Sequence, residues 1–104
     1  MRKTEFIKEH LNEDLSLEKI AKRFSFSPTY FHSIFKGVMN KTLRDFVEER
    51  RIKKAIDLLL TNNYQLSEIA YECGFSSQSY FCYAFKRYTG TTPKQYIKKF
   101  SDNK

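Results

Sequence analysis

The feature that most constrains the fold is an internal repeat. When the 104-residue sequence is shifted by 49 positions, Leu17–Ser27 aligns with Leu66–Ser76. The second copy then has one extra residue, and a shift of 50 aligns Tyr30–Thr42 with Tyr80–Thr92. The two shifts give ten identities over about thirty pairs, and the match runs through the turns as well as the apolar faces. The chain therefore consists of two copies of one structural unit.

Each copy has the pattern of a helix, a tight turn and a second helix. In the first copy, the opening helix has apolar residues at helical spacing, which are Leu17, Ile20, Ala21 and Phe24. The turn covers 25–27, and Ser27-Pro28 is typical of a helix start. On the second helix, spacing places Tyr30 and the side chains of Phe31, Ile34 and Phe35 on the inward face.

The second copy has the same signals at the equivalent positions. Gly74 supplies the turn, because glycine adopts positive φ at low cost. Ser76 or Ser77 then caps a helix whose inward residues are Phe81, Ala84 and Phe85. Asn40 and Gly90 hold matching positions and indicate where these second helices end.

Three further helices complete the chain. They are predicted at Thr4 to about Leu11, Thr42 to about Leu60, and Pro93–Phe100, and no alternating strand pattern is present. The predicted fold is all-α, with about seven helices and two helix-turn-helix units joined by a long linker helix. Within a single domain of residues 1–104, we place the first unit at 4–41, the linker at 42–60 and the second unit at 61–100.

Charge is distributed unevenly along the repeats. The net charge is +7, from 19 Lys and Arg against 12 Asp and Glu. Lys19–Arg44 contains six basic residues and no acid, and Cys73–Ser101 contains five basic residues and no acid. Between these two zones, Asp45–Glu72 contains six acids. A basic surface in each repeat favours a polyanionic partner.

Helix-turn-helix units bind duplex DNA by placing the second helix in the major groove. The 19-residue linker would be about 28 Å long at 1.5 Å per residue. Major-groove faces on one side of DNA recur every 34–36 Å or so. These lengths suit two recognition helices in successive major grooves. A helix-turn-helix module that contacts the transcription machinery, and not DNA, remains the alternative.

Other classes of function find little support. Cys73 and Cys82 lie nine residues apart, which is neither a redox pair nor a disulfide framework, and indicates reduced thiols. His10 and His32 have no clustered Cys or carboxylate partners, so no metal site is expected. We expect no catalytic residues, no cofactor and no enzyme activity. With no apolar stretch near the ~20 residues of a membrane span, we expect a cytoplasmic protein without membrane contact.

The most specific motifs lie in the second repeat and the linker. They are Ile69-Ala70, Cys73-Gly74-Phe75, Ser79-Tyr80-Phe81, Phe85-Lys86, Gly90, Thr92-Pro93, Tyr96 and the linker run Arg51–Leu60. Over 6–100 the chain resembles the DNA-binding domain of the AraC/XylS transcription regulators. Ser25 stands where many members of that family have Gly.

The resemblance implies a sequence-specific regulator of transcription that binds double-stranded DNA. Members often have a separate ligand-sensing or dimerising domain, so the chain is either a stand-alone member or a fragment of a longer regulator. RNA polymerase is an expected partner. The family's base-reading positions fall on Thr29 and Ser33 in the first unit and on Gln78, Ser79 and Tyr83 in the second.

The residues themselves add to this set. Outward positions on the two second helices include His32, Lys36, Cys82, Lys86 and Arg87. Gln78 is the strongest base reader, because its amide can bond adenine N6 and N7 together. Phosphate contacts are expected from Lys36, Lys86, Arg87, Ser77, Thr42 and Thr92, the two threonines lying at helix starts that favour anions.

Overall fold

The computed structural model describes residues 3–61 and 65–100, which form seven helices without a strand in those two ranges. The helices are α1 (Lys3–Glu9), α2 (Leu17–Arg23), α3 (Pro28–Met39), α4 (Leu43–Thr61), α5 (Leu66–Glu72), α6 (Gln78–Thr89) and α7 (Pro93–Phe100). The predicted all-α class is confirmed. The opening helix ends at Glu9, before the predicted Leu11, although Leu11 is still buried in the segment that follows.

The chain divides into two compact units, Met1–Arg50 and Arg51–Lys104, and the boundary falls inside α4. The predicted boundaries at 41/42 and 60/61 stay predictions, and residues 62–64 of the predicted second unit lie outside the described residues. In Met1–Arg50, α1, α2, α3 and the start of α4 enclose an apolar core. Its buried members are Ile7, Leu11, Leu15, Ile20, Ala21, Phe31, Phe35, Leu43, Phe46 and Val47.

The unit Arg51–Lys104 has its own core, built by α5, α6 and the rest of α4. Its buried members are Ile52, Ala55, Leu59, Ile69, Ala70, Cys73, Phe75, Phe81, Ala84 and Phe85. Tyr96 and Ile97 of α7 pack against it, and the Phe85 and Tyr96 rings meet edge to face with centroids 5.3 Å apart. In each unit, the second helix of the helix-turn-helix pair, α3 or α6, is therefore anchored by an aromatic stripe that is buried in that unit's core.

The two turns use the same backbone conformation with different residues. Ser25 has φ 64° and Gly74 has φ 89°, so both occupy the left-handed region. The amide of the next residue then reaches back into the preceding helix, Phe26 N to Ala21 O at 2.8 Å and its repeat equivalent at 2.9 Å. A serine in this region costs about 1 kcal/mol or more relative to glycine. The turn geometry is therefore kept in the first unit at a local conformational cost.

Polar caps set the ends of the second helices. Ser27 and Ser77 each accept a hydrogen bond on Oγ from the amide three residues on, at 3.2 and 3.0 Å. Ser77, rather than Ser76, is thus the cap. The structural equivalent of Ser27 is therefore Ser77, and Ser76 is the extra residue of the second copy. Asn40 and Gly90 end the helices in the left-handed conformation, with φ 60° and 86°, as their matching positions indicated.

The inward face predicted for α3 is partly wrong. Phe31 and Phe35 are buried, but Ile34 is 47% exposed and Tyr30 is 53% exposed. The repeat equivalent of Ile34 is Ala84, which is fully buried. Helical spacing alone could not separate these cases, because Ile34 lies at the edge of the apolar arc, where burial depends on the tertiary neighbours of each copy.

Candidate nucleic-acid interface

On α3, burial of the aromatic stripe turns a polar face outward. Phe31 and Phe35 lie in the core, and Thr29, Ser33 and Lys36 are exposed. Residues spaced by three or four share a helix face, so these three side chains form one strip along the helix. The strip carries two hydroxyls and one ammonium, which are donors suited to base edges and phosphates.

The equivalent face of α6 offers larger groups. Phe81 and Phe85 are buried, whereas Ser79 and Lys86 are exposed and the Tyr83 ring is 62% exposed. Gln78 is the first residue of α6 and is also exposed. The position matters because the N-terminal residues of a recognition helix are the ones that reach base edges.

Of the flanking residues predicted to face outward, Cys82 differs from the prediction, whereas His32 and Arg87 agree with it. His32 is exposed, but its repeat equivalent Cys82 is half-buried and packs against the second core, so Cys82 is less accessible than predicted. Arg87 is exposed, and its guanidinium lies 5.7 Å from the centre of the Tyr88 ring. The Arg87 charge thus lies at the surface of α6.

The hydroxyls at the predicted phosphate positions already serve as caps. Thr42 and Thr92 each accept a bond from the amide three residues on, Asp45 N and Gln95 N, both at 3.1 Å. Ser77 does the same for α6. Each hydroxyl still has its own hydrogen to donate to a phosphate. Capping and anion binding are therefore compatible at these positions.

The starts of α4 and α7 differ electrostatically. The first turn of α4 contains Asp45, whereas the first turn of α7 contains no acid and has Lys94 as its second residue. Gln95 Oε1 also accepts from Thr92 N at 3.0 Å, which completes a reciprocal cap. An anion is stabilised by the positive end of a helix and repelled by a nearby carboxylate. The start of α7 is therefore more favourable to an anion than the start of α4.

The surroundings of the two second helices fit a binding role. Neither α3 nor α6 contains an acidic residue.

Burial raises the pKa of the Cys73 thiol to about 11, and the neighbouring Lys54 and Arg51 charges offset this only in part. Cys73 is therefore a neutral core thiol and not a reactive one.

In the ranges 3–61 and 65–100, the chain has no candidate metal cluster and no candidate membrane span. No three His, Cys, Asp or Glu side chains there are grouped so as to hold a metal ion. No helix in the same ranges combines the length and apolar character needed to cross a bilayer.

Several exposed residues beside the interface were missed from the sequence. Tyr30, Ile34 and Val38 form an exposed apolar line on α3, with Val38 77% exposed. The sequence contained one signal of this difference between the repeats, which is that Val38 is smaller than its repeat equivalent Tyr88. Lys94 was also missed, although a basic residue directly after Thr92-Pro93 marks a basic helix start.

Comparison with known proteins places this architecture. A family model described as a helix-turn-helix domain matches residues 20–99. The regulatory protein PocR of Salmonella typhimurium is 34% identical over 98 residues, covering 94% of this chain and 32% of PocR. The chain thus spans about a third of the length of PocR and of several other curated relatives.

Two solved structures share the fold throughout the chain. The C-terminal domain of AraT, a response regulator from Geobacillus stearothermophilus, has a TM-score of 0.94 and 31% identity, covering 99% of this chain and 86% of that domain. The DNA-binding domain of the global transcriptional factor AdpA, in complex with a target DNA, has a TM-score of 0.90 and 28% identity, covering 94% and 88%. The chain belongs to the AraC/XylS family and comprises that family's helix-turn-helix DNA-binding domain.

Proposed function

We propose that this chain binds specific sites in double-stranded DNA and regulates transcription, with α3 and α6 entering successive major grooves. One observation carries the proposal. The second helix of both repeats buries its aromatic face and exposes a strip of hydroxyl and basic side chains without a single acid. Such a strip complements the base edges and phosphates of a groove.

The two helices divide the work unequally. In α6, Gln78, Ser79 and Tyr83 contact base edges, and Gln78 pairs with adenine through both atoms of its amide. In α3, Thr29 and Ser33 contact bases through small hydroxyls that cannot form a bidentate pair. The second unit therefore supplies most hydrogen-bonded sequence readout.

The remaining polar residues position the protein on the DNA backbone. Lys36, Lys86 and Arg87 contact phosphates beside the recognition helices, and His32 and Cys82 lie at the edges of the same faces. Ser77, Thr42 and Thr92 donate their hydroxyl hydrogens to phosphates while capping their helices. Phosphate contacts of this kind supply affinity with little sequence dependence.

The regulator acts in the cytoplasm, where RNA polymerase is its second macromolecular partner. A ligand-sensing or dimerising domain acts with this DNA-binding domain, in keeping with the larger size of the curated relatives. The chain itself performs no catalysis. These statements rest on family membership and on the DNA-binding role.

Selection of duplexes from a random pool, followed by binding measurements on single-base variants, tests this function. Gln78→Ala should lower affinity for the selected site by the equivalent of ~1–3 kcal/mol and relax preference at one or two adjacent base pairs. Lys86→Ala should weaken binding to all sequences alike. Lys53→Ala, an exposed change on α4, is the matched control and should leave the base preference unchanged.

Two results would count against the proposal, the first against the function itself and the second against the division of work between α6 and α3. One is the absence of any enriched sequence from the pool. The other is a fall in affinity for Gln78→Ala that is the same at every base position while Ser33→Ala changes the preference, since the stronger reader would then be α3.

Salt dependence tests the number of grooves engaged. With roughly five to eight phosphates contacted, log K should fall against log salt with a slope of about −4 to −7. A slope shallower than about −2 would mean that one helix alone touches DNA.

A further inference from the structure

The exposed apolar residues on α3 lie beside its polar strip. Tyr30 is 53% exposed and Ile34 is 47% exposed, whereas the equivalent residues of α6 are half-buried Tyr80 and fully buried Ala84. The two recognition helices thus differ at the same repeat positions. At these two repeat positions, only α3 presents large exposed side chains.

Helix geometry places these side chains on one flank of the exposed face. At 3.6 residues per turn, Tyr30 lies about 60° and Ile34 about 100° from Ser33 around the helix axis. Gly37 lies between them and Ser33, and a Cβ built there meets nothing within 4 Å. Because Gly37 has no side chain, the helix surface between Ser33 and the side chains of Tyr30 and Ile34 is open to a ligand.

The major groove contains one apolar feature that fits this flank. An α-helix is about 10–12 Å wide and the groove about 12 Å, so side chains on the flank of an inserted helix lie close to the DNA surface that lines the groove. The C5-methyl group of thymine projects into the major groove and is the base feature that apolar side chains recognise. The acid-free sequence around α3 keeps this flank compatible with DNA.

We propose that Tyr30 and Ile34 are specificity-determining residues that contact thymine methyl groups, so that the first unit selects thymines by apolar contact. This inference rests on the proposed DNA-binding function and deepens it. It explains how a helix without a bidentate amide or guanidinium still distinguishes bases. The occupant of the apolar flank is the methyl-bearing edge of thymine, which lies beside the base edges that face the polar strip of the same helix.

Replacement of single thymines by deoxyuridine tests the contact, because it removes only the methyl group. Every thymine of the selected site is replaced in turn, and affinity is measured for the wild-type chain and for Ile34→Ala and Tyr30→Ala. Loss of one buried methyl should weaken wild-type binding about fourfold at the contacted thymines. At those positions each variant should have lost most of this sensitivity for the thymine it contacts.

Val38→Ala provides the matched control. Val38 is 77% exposed on the same apolar line, but it lies about 140° from Ser33 and faces away from the groove. The Val38→Ala variant should keep the full fourfold sensitivity. Because all three side chains are exposed, unfolding midpoints close to that of the wild type should accompany each change.

The outcomes are distinct from those for the parent function. Failure to select any duplex would refute the DNA-binding function itself. Selective binding in which no thymine is methyl-sensitive, or in which Ile34→Ala and Tyr30→Ala stay as sensitive as the wild type, would overturn this inference alone.

Discussion

Gly37→Ala should stabilise the protein, and the structure shows why. Gly37 is the tenth of the twelve residues of α3, and its side is open to solvent. An added methyl group meets no atom within 4 Å. The change therefore introduces no clash and acts only through the backbone.

The size of the effect follows from glycine's conformational freedom. Glycine in a helix costs about 0.5–1 kcal/mol relative to alanine, because its unfolded state has more conformations to lose. We expect Gly37→Ala to raise the free energy of unfolding by that amount. For a domain of this size this corresponds to a rise in Tm of about 2–8 °C.

Gly90→Ala is the matched control, with the same chemical change and the opposite expected sign. Gly90 also has open space around a built Cβ, but its φ is 86°. An L-residue in the left-handed region costs ~1–2 kcal/mol, which exceeds the entropic gain. Gly90→Ala should therefore lower the free energy of unfolding.

Urea unfolding of both variants without DNA, followed by circular dichroism, measures the two effects. Destabilisation by Gly37→Ala would refute the reasoning, because it would mean that the α3 backbone there is not an open regular helix. Stabilisation by Gly90→Ala would equally refute the left-handed assignment at the end of α6.

Three further predictions concern the core and the helix starts. Ala55→Asp, at a fully buried position, should cost about 3–5 kcal/mol and abolish cooperative unfolding, whereas the exposed control Lys53→Asp should not; a wild-type melting curve for the first would contradict the buried face. Burial raises the pKa of Cys73 from 9.0 to about 11, so the folded state holds this proton more tightly and its stability, complete below pH 9, falls as pH rises toward 11. Unfolding titrations should show this loss in the wild type and not in Cys73→Ala; equal curves would refute it. Thr92→Ala should weaken DNA binding more than Thr42→Ala, since the first turn of α7 has no acid whereas that of α4 contains Asp45; equal losses in a binding titration would show that Asp45 does not repel phosphate.

Most of the architecture was predictable from local signals. The spacing of apolar residues, the Ser-Pro start of α3 and the Thr-Pro start of α7 each specify a helix or its end through interactions within a few residues. The repeat then predicted that both copies would share one fold. These features are local, so no knowledge of the tertiary structure was needed to place them.

The candidate interface was less completely predictable. Placement of Thr29, Ser33 and Lys36 opposite the buried aromatics followed from helix period alone, as did the exposure of Tyr83. The exposure of Tyr30 and Ile34 did not follow, and neither did the partial burial of Cys82. Contact of Tyr30, Ile34 and Cys82 with DNA stays a prediction.

The sequence by itself determined the helices, the Ser27 cap of α3, the duplicated helix-turn-helix pattern and the basic character of both second helices, but it left the cap of α6 open between Ser76 and Ser77. Only the tertiary structure decided which residues at the edges of the apolar arcs are buried, as the contrast between Ile34 and Ala84 shows. Periodicity defines the centre of a buried face, where any packing partner covers the side chain. At the edge of that face, burial depends on which residues from other helices lie within reach, and that is a property of the folded unit.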